Sequence, residues 1–284
     1  REAILERGLE KGVFVFHNDP ELLVALRRHL PKARLIHLFH NGNRSKDPWR
    51  ERFSESVDAA FGVSAACARW NETYFGCAVQ VLKNGVDCKR FVPIPKKHPR
   101  FPVLGFAGRT DRQKAPDLLL RAALKLSEEG NQFSVQLIGS RFYGSHEIDS
   151  YQELLDQLCQ RLQGRGILVE RPGFVSRYAL PRVLAKADIH VVPSRWEDPC
   201  PLTVMEGMAT GQAVVGAACG GIPEIIGGDG FLFERDDVDG LAARLGALLR
   251  NRELRESYGC RARERAERRT WSEVYLELRE AIGN

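Results

Sequence analysis

The sequence predicts an α/β chain made of two parallel-sheet, doubly wound domains. Three observations carry this. Apolar runs and helical segments alternate as strand, helix, strand from Val13 to Leu82 with short links, the mark of a parallel sheet. A stretch with four prolines and a basic cluster, VPIPKKHPRFP over 92–102, then interrupts the pattern and reads as a linker. The alternation restarts at Val103 and runs through at least five strand–helix steps to Phe233.

The elements follow in order. REAILERGLEKG over 1–12 reads as the end of an amphipathic helix, and Val13 to Phe16 as a buried strand. Glu21 to Leu30 reads as a helix and Ala33 to His40 as a strand. The polar stretch 41–56 suits a mobile loop or a surface helix. Ala59–Val63, Ala65–Phe75 and Val79–Leu82 continue as strand, helix and strand. Past the linker come a strand at Val103–Ala107, a helix at Ala115–Glu129, a strand at Phe133–Ile138 and a helix at Ser150–Leu162. They are followed by a strand at Ile167–Val169, a helix at Tyr178–Lys186 and a strand at Ile189–Val192. Ala213–Val215 and Phe231–Phe233 extend the sheet, and from Leu241 onward the chain reads as helix. In such sheets ligands gather at the carboxyl ends of the strands. Arg109, Gly139, Phe174, Ser194 and the loop holding Asp198 all follow strands, so they are expected at one edge.

Composition sets outer bounds. At 284 residues with 43% hydrophobic content the chain can bury a large core. Apolar runs break before the roughly 20 residues that span a bilayer, and no signal-peptide pattern opens the sequence. The expected location is the cytoplasm, including peripheral contact at the inner face of the membrane. Seven scattered cysteines without a CxxC pair fit free thiols in a reducing compartment. A net charge of +5 permits attraction to phosphates or an anionic bilayer but establishes neither, and no nucleic-acid partner is expected.

The stretch from Pro193 to Glu224, PSRWEDPCPLTVMEGMATGQAVVGAACGGIPE, carries the chemistry. Prolines at 199 and 201 keep Trp196–Pro201 in a loop, and LTVMEGMA can start a helix directly after Pro201. A strand, a tight loop and a helix start present free N–H groups and the positive end of the helix dipole to an anion. Asp198 before that start and Glu206 about one turn inside it suit hydroxyl groups attached to a phosphate. A sugar nucleotide meets both demands.

These residues resemble a family. Asp198-x7-Glu206 followed by GGIPE at 220–224 is similar to the paired-acid motif of the family 4 retaining glycosyltransferases. Arg109 and Lys114 in GFAGRTDRQKA resemble that family's diphosphate clamp, and NGVDCKRFVP at 84–93 its inter-domain segment. The resemblance spans about His17 to Trp271. It departs at Asp198, where Glu is usual, at Cys200-Pro201, which replaces Phe-Gly, and at Ala115, where Gly is common after the lysine.

The resemblance implies a GT-B fold, two Rossmann-like domains facing a cleft, with the first part of the N-terminal domain lacking here. The implied divisions are an acceptor-side domain at 1–92, a nucleotide-sugar domain at 93–266, and a terminal helix at 267–284 that crosses back. Trp271, Val274, Tyr275 and Leu278 form its apolar stripe. The implied activity is retaining, metal-independent transfer from a nucleoside-diphosphate sugar to a saccharide, lipid-linked or small-molecule acceptor, as in polysaccharide, lipopolysaccharide or glycoconjugate synthesis. No cofactor is expected. His40 in LFHN resembles the histidine facing the donor sugar, and Asp198 is the second catalytic candidate. Arg109, Lys114, Phe174, Pro201, Leu202, Thr203 and Glu206 are the donor-binding candidates, with base contacts made by backbone near Phe174.

Other features are structural. His37 and His40, three apart on a strand, face opposite sides and cannot share a metal. Asp237-Val238-Asp239 imitates a metal-binding DxD but precedes GLAARLGALLR and reads as a helix cap. Walker, HExxH and GxSxG motifs are absent. No side chain presents itself as a covalent nucleophile, so front-face substitution is the expected course. A sugar-nucleotide epimerase or phosphorylase on the same scaffold, and an inactive nucleotide-sugar-binding subunit, are the alternatives.

Overall fold

The computed structural model describes residues 11–42, 46, 48–96, 101–141 and 150–283. The helix expected over 1–12 lies largely outside them. Two compact units form: Arg1–Asn84 with Val274–Asn284, and Gly85–Glu273.

The first unit holds a four-stranded parallel sheet in the order β1-β2-β3-β4, with β1 at Val13–His17, β2 at Arg34–Phe39, β3 at Ala59–Gly62 and β4 at Gln80–Val81. Helix α1 (Pro20–Arg27) starts where Asp19 accepts a hydrogen bond from the Leu22 N–H and Pro20 presets the first turn. It ends three residues short of the expected Leu30, in a tight turn ahead of Pro31 where the His29 N–H donates to the Leu26 carbonyl at 2.8 Å, and the Arg27 side chain there donates to the Ser56 and Ala33 carbonyls. The polar stretch 41–56 is anchored where it is described. A 3₁₀ turn at Pro48–Arg52 leads into α2 (Phe53–Ser56), and Phe53 is fully buried with its ring 4.2 Å from Phe75 and 5.6 Å from Phe39. Helix α3 (Ala65–Phe75) is capped by Ser64 and stops at Gly76 in the left-handed region.

The second unit holds a six-stranded parallel sheet, β10-β9-β8-β5-β6-β7. Its strands are β5 Val103–Ala107, β6 Ser134–Ile138, β7 Leu168–Gly173, β8 Ile189–Val192, β9 Ala213–Ala217 and β10 Phe231–Phe233. The central strands are mostly apolar, with Leu104, Ile189, Val191, Val214 and Val215 at zero exposure, as a sheet covered on both faces requires. β7 runs past the expected Val169. It is an edge strand, so Glu170, Arg171 and Pro172 sit in it without being buried.

The connecting helices are α4 Pro116–Glu128, α5 Ser150–Gln163, α6 Leu180–Leu184, α7 Leu202–Ala209 and α8 Ile222–Ile226. The C-terminal run divides into α9 Val238–Arg250, α10 Arg252–Glu267 and α11 Trp271–Ala281. Ala115, expected inside α4, is its cap with φ 52°, a left-handed conformation that costs a non-glycine residue roughly 1–2 kcal/mol. Asp237 caps α9 through the Gly240 N–H at 2.8 Å.

The second unit begins at Gly85, ahead of the 93 expected from the prolines. Val86 bridges to Thr270, and Phe91 packs into the core. The apolar stripe of α11 is also narrower than expected. Val274 and Ile282 are buried, whereas Trp271 and Tyr275 are exposed and Arg279 lies 5.9 Å from the Tyr275 ring.

Helix α10 is rich in arginine, and three of those side chains end helices elsewhere. Arg255 donates to the Leu248 carbonyl at 2.6 Å, Arg265 to the Ile225 carbonyl at 2.7 Å, and Arg263 to the carbonyls of Phe91 at 2.6 Å, Cys88 at 3.2 Å and Ala209. Replacing Arg263 by Ala is expected to destabilise the second unit by about 1.5–3 kcal/mol, since buried carbonyls lose a charged donor. Arg252→Ala, on the exposed side with a similar ion pair to Glu256, should leave stability essentially unchanged. Denaturant titration of both variants measures the contrast.

Candidate active site

Because all six strands of the second unit run parallel, their carboxyl ends share one edge, and the loops leaving that edge are stitched together by backbone hydrogen bonds. Gly108 donates to Ile138 at 3.0 Å, Thr110 to Ser140 at 3.2 Å and Gly139 to Gly173 at 2.8 Å, joining the loops after β5, β6 and β7. The Arg195 N–H donates to Gln113 at 2.8 Å and the Gly221 N–H to Asp198 at 2.8 Å, joining those after β5, β8 and β9. Two glycines permit this. A Cβ on Gly139 (φ 128°) would stand 1.9 Å from the Gly108 oxygen, and one on Gly220 (φ 56°) 2.1 Å from the Asp198 oxygen.

Among these loops lies a cavity of about 570 Å³. Arg109, Phe174, Leu202, Thr203 and Glu206 line it, so five of the expected site residues meet at one place. Helix α7 enters at its first turn. Pro201 is its cap and supplies no side-chain hydrogen bond, and the first turn of a helix has no carbonyl of its own for its N–H groups. The position of α7 is fixed from below by His190 on β8, fully buried, whose ring packs where Gly207 has no side chain. Burial pushes the His190 pKa down to about 4, so the ring there is neutral.

Glu206 stands one turn inside α7, and no described residue donates a hydrogen bond to its carboxylate. Burial raises its pKa to about 7, and the charges of Arg177 and Arg90 oppose the rise without cancelling it. Arg90 and Arg177 line the cavity with Asp87 and Trp271, and none of the four was a site candidate from the motifs. Arg90 donates to the Arg177 carbonyl at 2.9 Å, which holds the loop carrying Phe174. Phe174 is 57% exposed and offers an aromatic face.

Lys114, Asp198 and Pro201 do not line this cavity. Asp198 is only 3% exposed, and its carboxylate is paired with Lys114 and accepts from the Ser194 hydroxyl at 3.2 Å. Arg109 pairs with Asp111 at 3.1 Å and donates to Gln113 at 3.0 Å. Arg195, within the PSRW run, makes two hydrogen bonds to buried Asp117, at 2.7 and 2.8 Å. Burial alone would raise the Asp117 pKa, but Arg195 and the Tyr151 hydroxyl outweigh it and hold the carboxyl below its usual range. His40 belongs to the first unit, where its Nε2 lies 2.9 Å from His17 Nδ1. His37 is buried against Phe39 and Phe53, and neither of its ring nitrogens has a hydrogen-bond partner among the described residues. Among the described residues no group of three His, Cys, Asp or Glu is placed to hold a metal ion, and no helix is long and apolar enough to cross a membrane. All seven cysteines are free thiols.

The fold is that of the GT-B glycosyltransferases. The structure of Anabaena Alr3699/HepE in complex with UDP and glucose superposes with a TM-score of 0.79 at 18% identity, over 100% of this chain and 80% of that one. Residues 101–251 match the family described as glycosyl transferases group 1. Spore coat protein SA of Bacillus subtilis (strain 168) is 30% identical over 280 residues, 88% of this chain and 72% of that protein. The putative colanic acid biosynthesis glycosyltransferase WcaL of Escherichia coli (strain K12) is 31% identical over 178 residues, 60% of this chain. The chain spans 42% of WcaL and between 37% and 57% of the further curated relatives it matches. The chain belongs to the glycosyl transferases group 1 family.

The raised Glu206 pKa has a stability consequence of definite sign. Between the ordinary carboxyl value of 4.5 and about 7 the folded protein keeps this proton and the unfolded chain does not, so stability falls as pH rises through that window. His37 and His190, lowered by burial from 6.5 to about 3 and about 4, act in the opposite direction up to 6.5 and so overlap most of that window. The difference between wild type and Glu206→Gln isolates the carboxyl. The variant is expected to gain stability relative to wild type as pH rises from 5 to 7, measured by denaturant titration at each pH.

Proposed function

We propose that this protein transfers a sugar from a nucleoside-diphosphate sugar to an acceptor hydroxyl with retention of anomeric configuration and without a metal ion. The observation that carries the reading is Glu206, a half-buried carboxyl without a hydrogen-bond donor among the described residues, in one cavity with Arg109 and the first turn of α7. In this reading the carboxylate accepts from the ribose diol, and the α7 N–H groups at Leu202 and Thr203 take the diphosphate. Arg109 neutralises the charge that builds on the leaving oxygen, Lys114 joins it on releasing Asp198, and Asp198 then meets the donor sugar. Preorganised donors of this kind are each worth about 2.7–4 kcal/mol of barrier. Phe174 provides the surface for the base, and His40 faces the transferred sugar.

The acceptor is a saccharide or a lipid-linked glycan, in keeping with the colanic acid assignment of WcaL. UDP is the first nucleotide to test, since the Anabaena neighbour holds it.

Calorimetric titration with UDP, GDP and ADP tests the donor site. One nucleotide is expected to bind, and Glu206→Gln and Arg109→Gln should each weaken it by about 1.5–3 kcal/mol, roughly 10- to 150-fold. No binding by any nucleotide, or equal binding by both variants, contradicts the reading. Proton NMR of the first product formed from an α-linked donor reads retention directly. Incubation with donor alone separates transfer from epimerisation, because an epimerase changes the sugar without an acceptor.

A further inference from the structure

The first unit contains a histidine pair that the motifs leave unexplained. His17 ends β1 and His40 directly follows the parallel strand β2, with His17 in register with Leu38. Their rings stack with centroids 5.2 Å apart and planes 19° from parallel, and His17 Nδ1 lies 2.9 Å from His40 Nε2. The backbone on both sides is locked. Asn18 adopts φ 53°, its N–H donates to the Leu38 carbonyl at 3.1 Å, and its side-chain oxygen accepts from the His40 N–H at 2.7 Å. The two rings are therefore brought together by the strand ends.

Two neutral imidazoles can make this bond in two directions. If His17 donates, both rings must carry their proton on Nδ1, the less favoured tautomer of a free imidazole. If His40 donates, both carry it on Nε2, the favoured one. Burial lowers the His40 pKa, and the neighbouring His17 charge lowers it further, both favouring the neutral His40 ring.

We infer that His17 is a positioning residue for His40: it accepts the His40 Nε2–H, fixes that ring in one tautomer, and leaves His40 Nδ1 as the bare nitrogen available to a substrate hydroxyl. Resting on the reading of His40 as the residue that faces the sugar, the inference specifies the group met there, a hydroxyl that donates to Nδ1.

Long-range proton–nitrogen spectra of the chain with ¹⁵N-labelled histidine, at about pH 8, test it without substrate. The His17 and His40 signals are assigned by single substitution. Expected is a His40 ring protonated at Nε2 and unprotonated at Nδ1 in the wild type. His17→Leu should return His40 to a mixture of tautomers. His17→Asn, whose Oδ1 takes the place of the ring Nδ1 as acceptor, should restore the single form. Unchanged His37 and His190 signals report that each variant is folded. A His40 protonated at Nδ1, or averaged between tautomers in the wild type, overturns the inference, as does a His17→Leu spectrum identical to wild type. Failure to transfer sugar would remove the catalytic reading of His40 and leave this result standing, so the two are separable.

Discussion

Six parallel strands that finish at one edge are the constraint from which the candidate site follows. Each strand delivers the next loop to the same side, and buried backbone groups there must find partners. They find them in one another, through bonds from the loop after β5 to those after β6 and β8, and from β8 to β9. An edge stitched in this way cannot shift one loop without straining the next. Arg109 and the first turn of α7 are held in the frame by that lacing and not by contact with each other. Close approach is what allows it, and the glycines at 139 and 220 leave the needed space.

Packing below the edge completes the arrangement. His190 lies fully buried beneath α7 and fills the space beside Gly207, so two polar-to-small choices in different elements fit together. On the far side, α10 sends Arg263 to the end of α7 at Ala209 and to the segment at Cys88 and Phe91 that flanks the cavity. The arginine-rich C-terminal region is thus a set of charged hydrogen-bond donors for helix ends, in addition to a solvated surface. Asp198 and Lys114 form the least exposed ion pair of the site region, with Ser194 supplying a further hydrogen bond. A buried pair of this kind is costly to break by removing one partner. A ligand that engages either residue must supply an equivalent charge.

Much of this was legible in the residues. Strand and helix alternation places Val103–Ala107, Ile189–Val192 and Ala65–Phe75 because apolar periodicity and caps such as Ser64 act locally. The spacing of Asp198 and Glu206 around a proline-terminated loop carries the helix start at Leu202. Illegible were features decided by distant partners. β7 is polar because it is an edge, and the Arg27 side chain at the end of α1 is held by the carbonyls of Ala33 and Ser56. The unit boundary at Gly85 depends on Val86 pairing with Thr270 across the chain. Arg90 and Arg177 join the cavity through one side-chain-to-backbone bond between segments 87 residues apart, and periodicity holds no trace of it. The departure at Ala115 was visible as a missing glycine, and its meaning is the left-handed backbone there.

The central claim is that one nucleoside diphosphate occupies the cavity with its ribose on Glu206 and its phosphates at the start of α7. A crystal structure of the chain with UDP or GDP bound tests it most directly. The account predicts both ribose hydroxyls within hydrogen-bonding distance of the Glu206 carboxylate, and a phosphate oxygen on the N–H groups of Leu202 or Thr203 with Arg109 beside it. A nucleotide seated elsewhere on the chain, or one in the cavity with its phosphates turned away from α7, would contradict it.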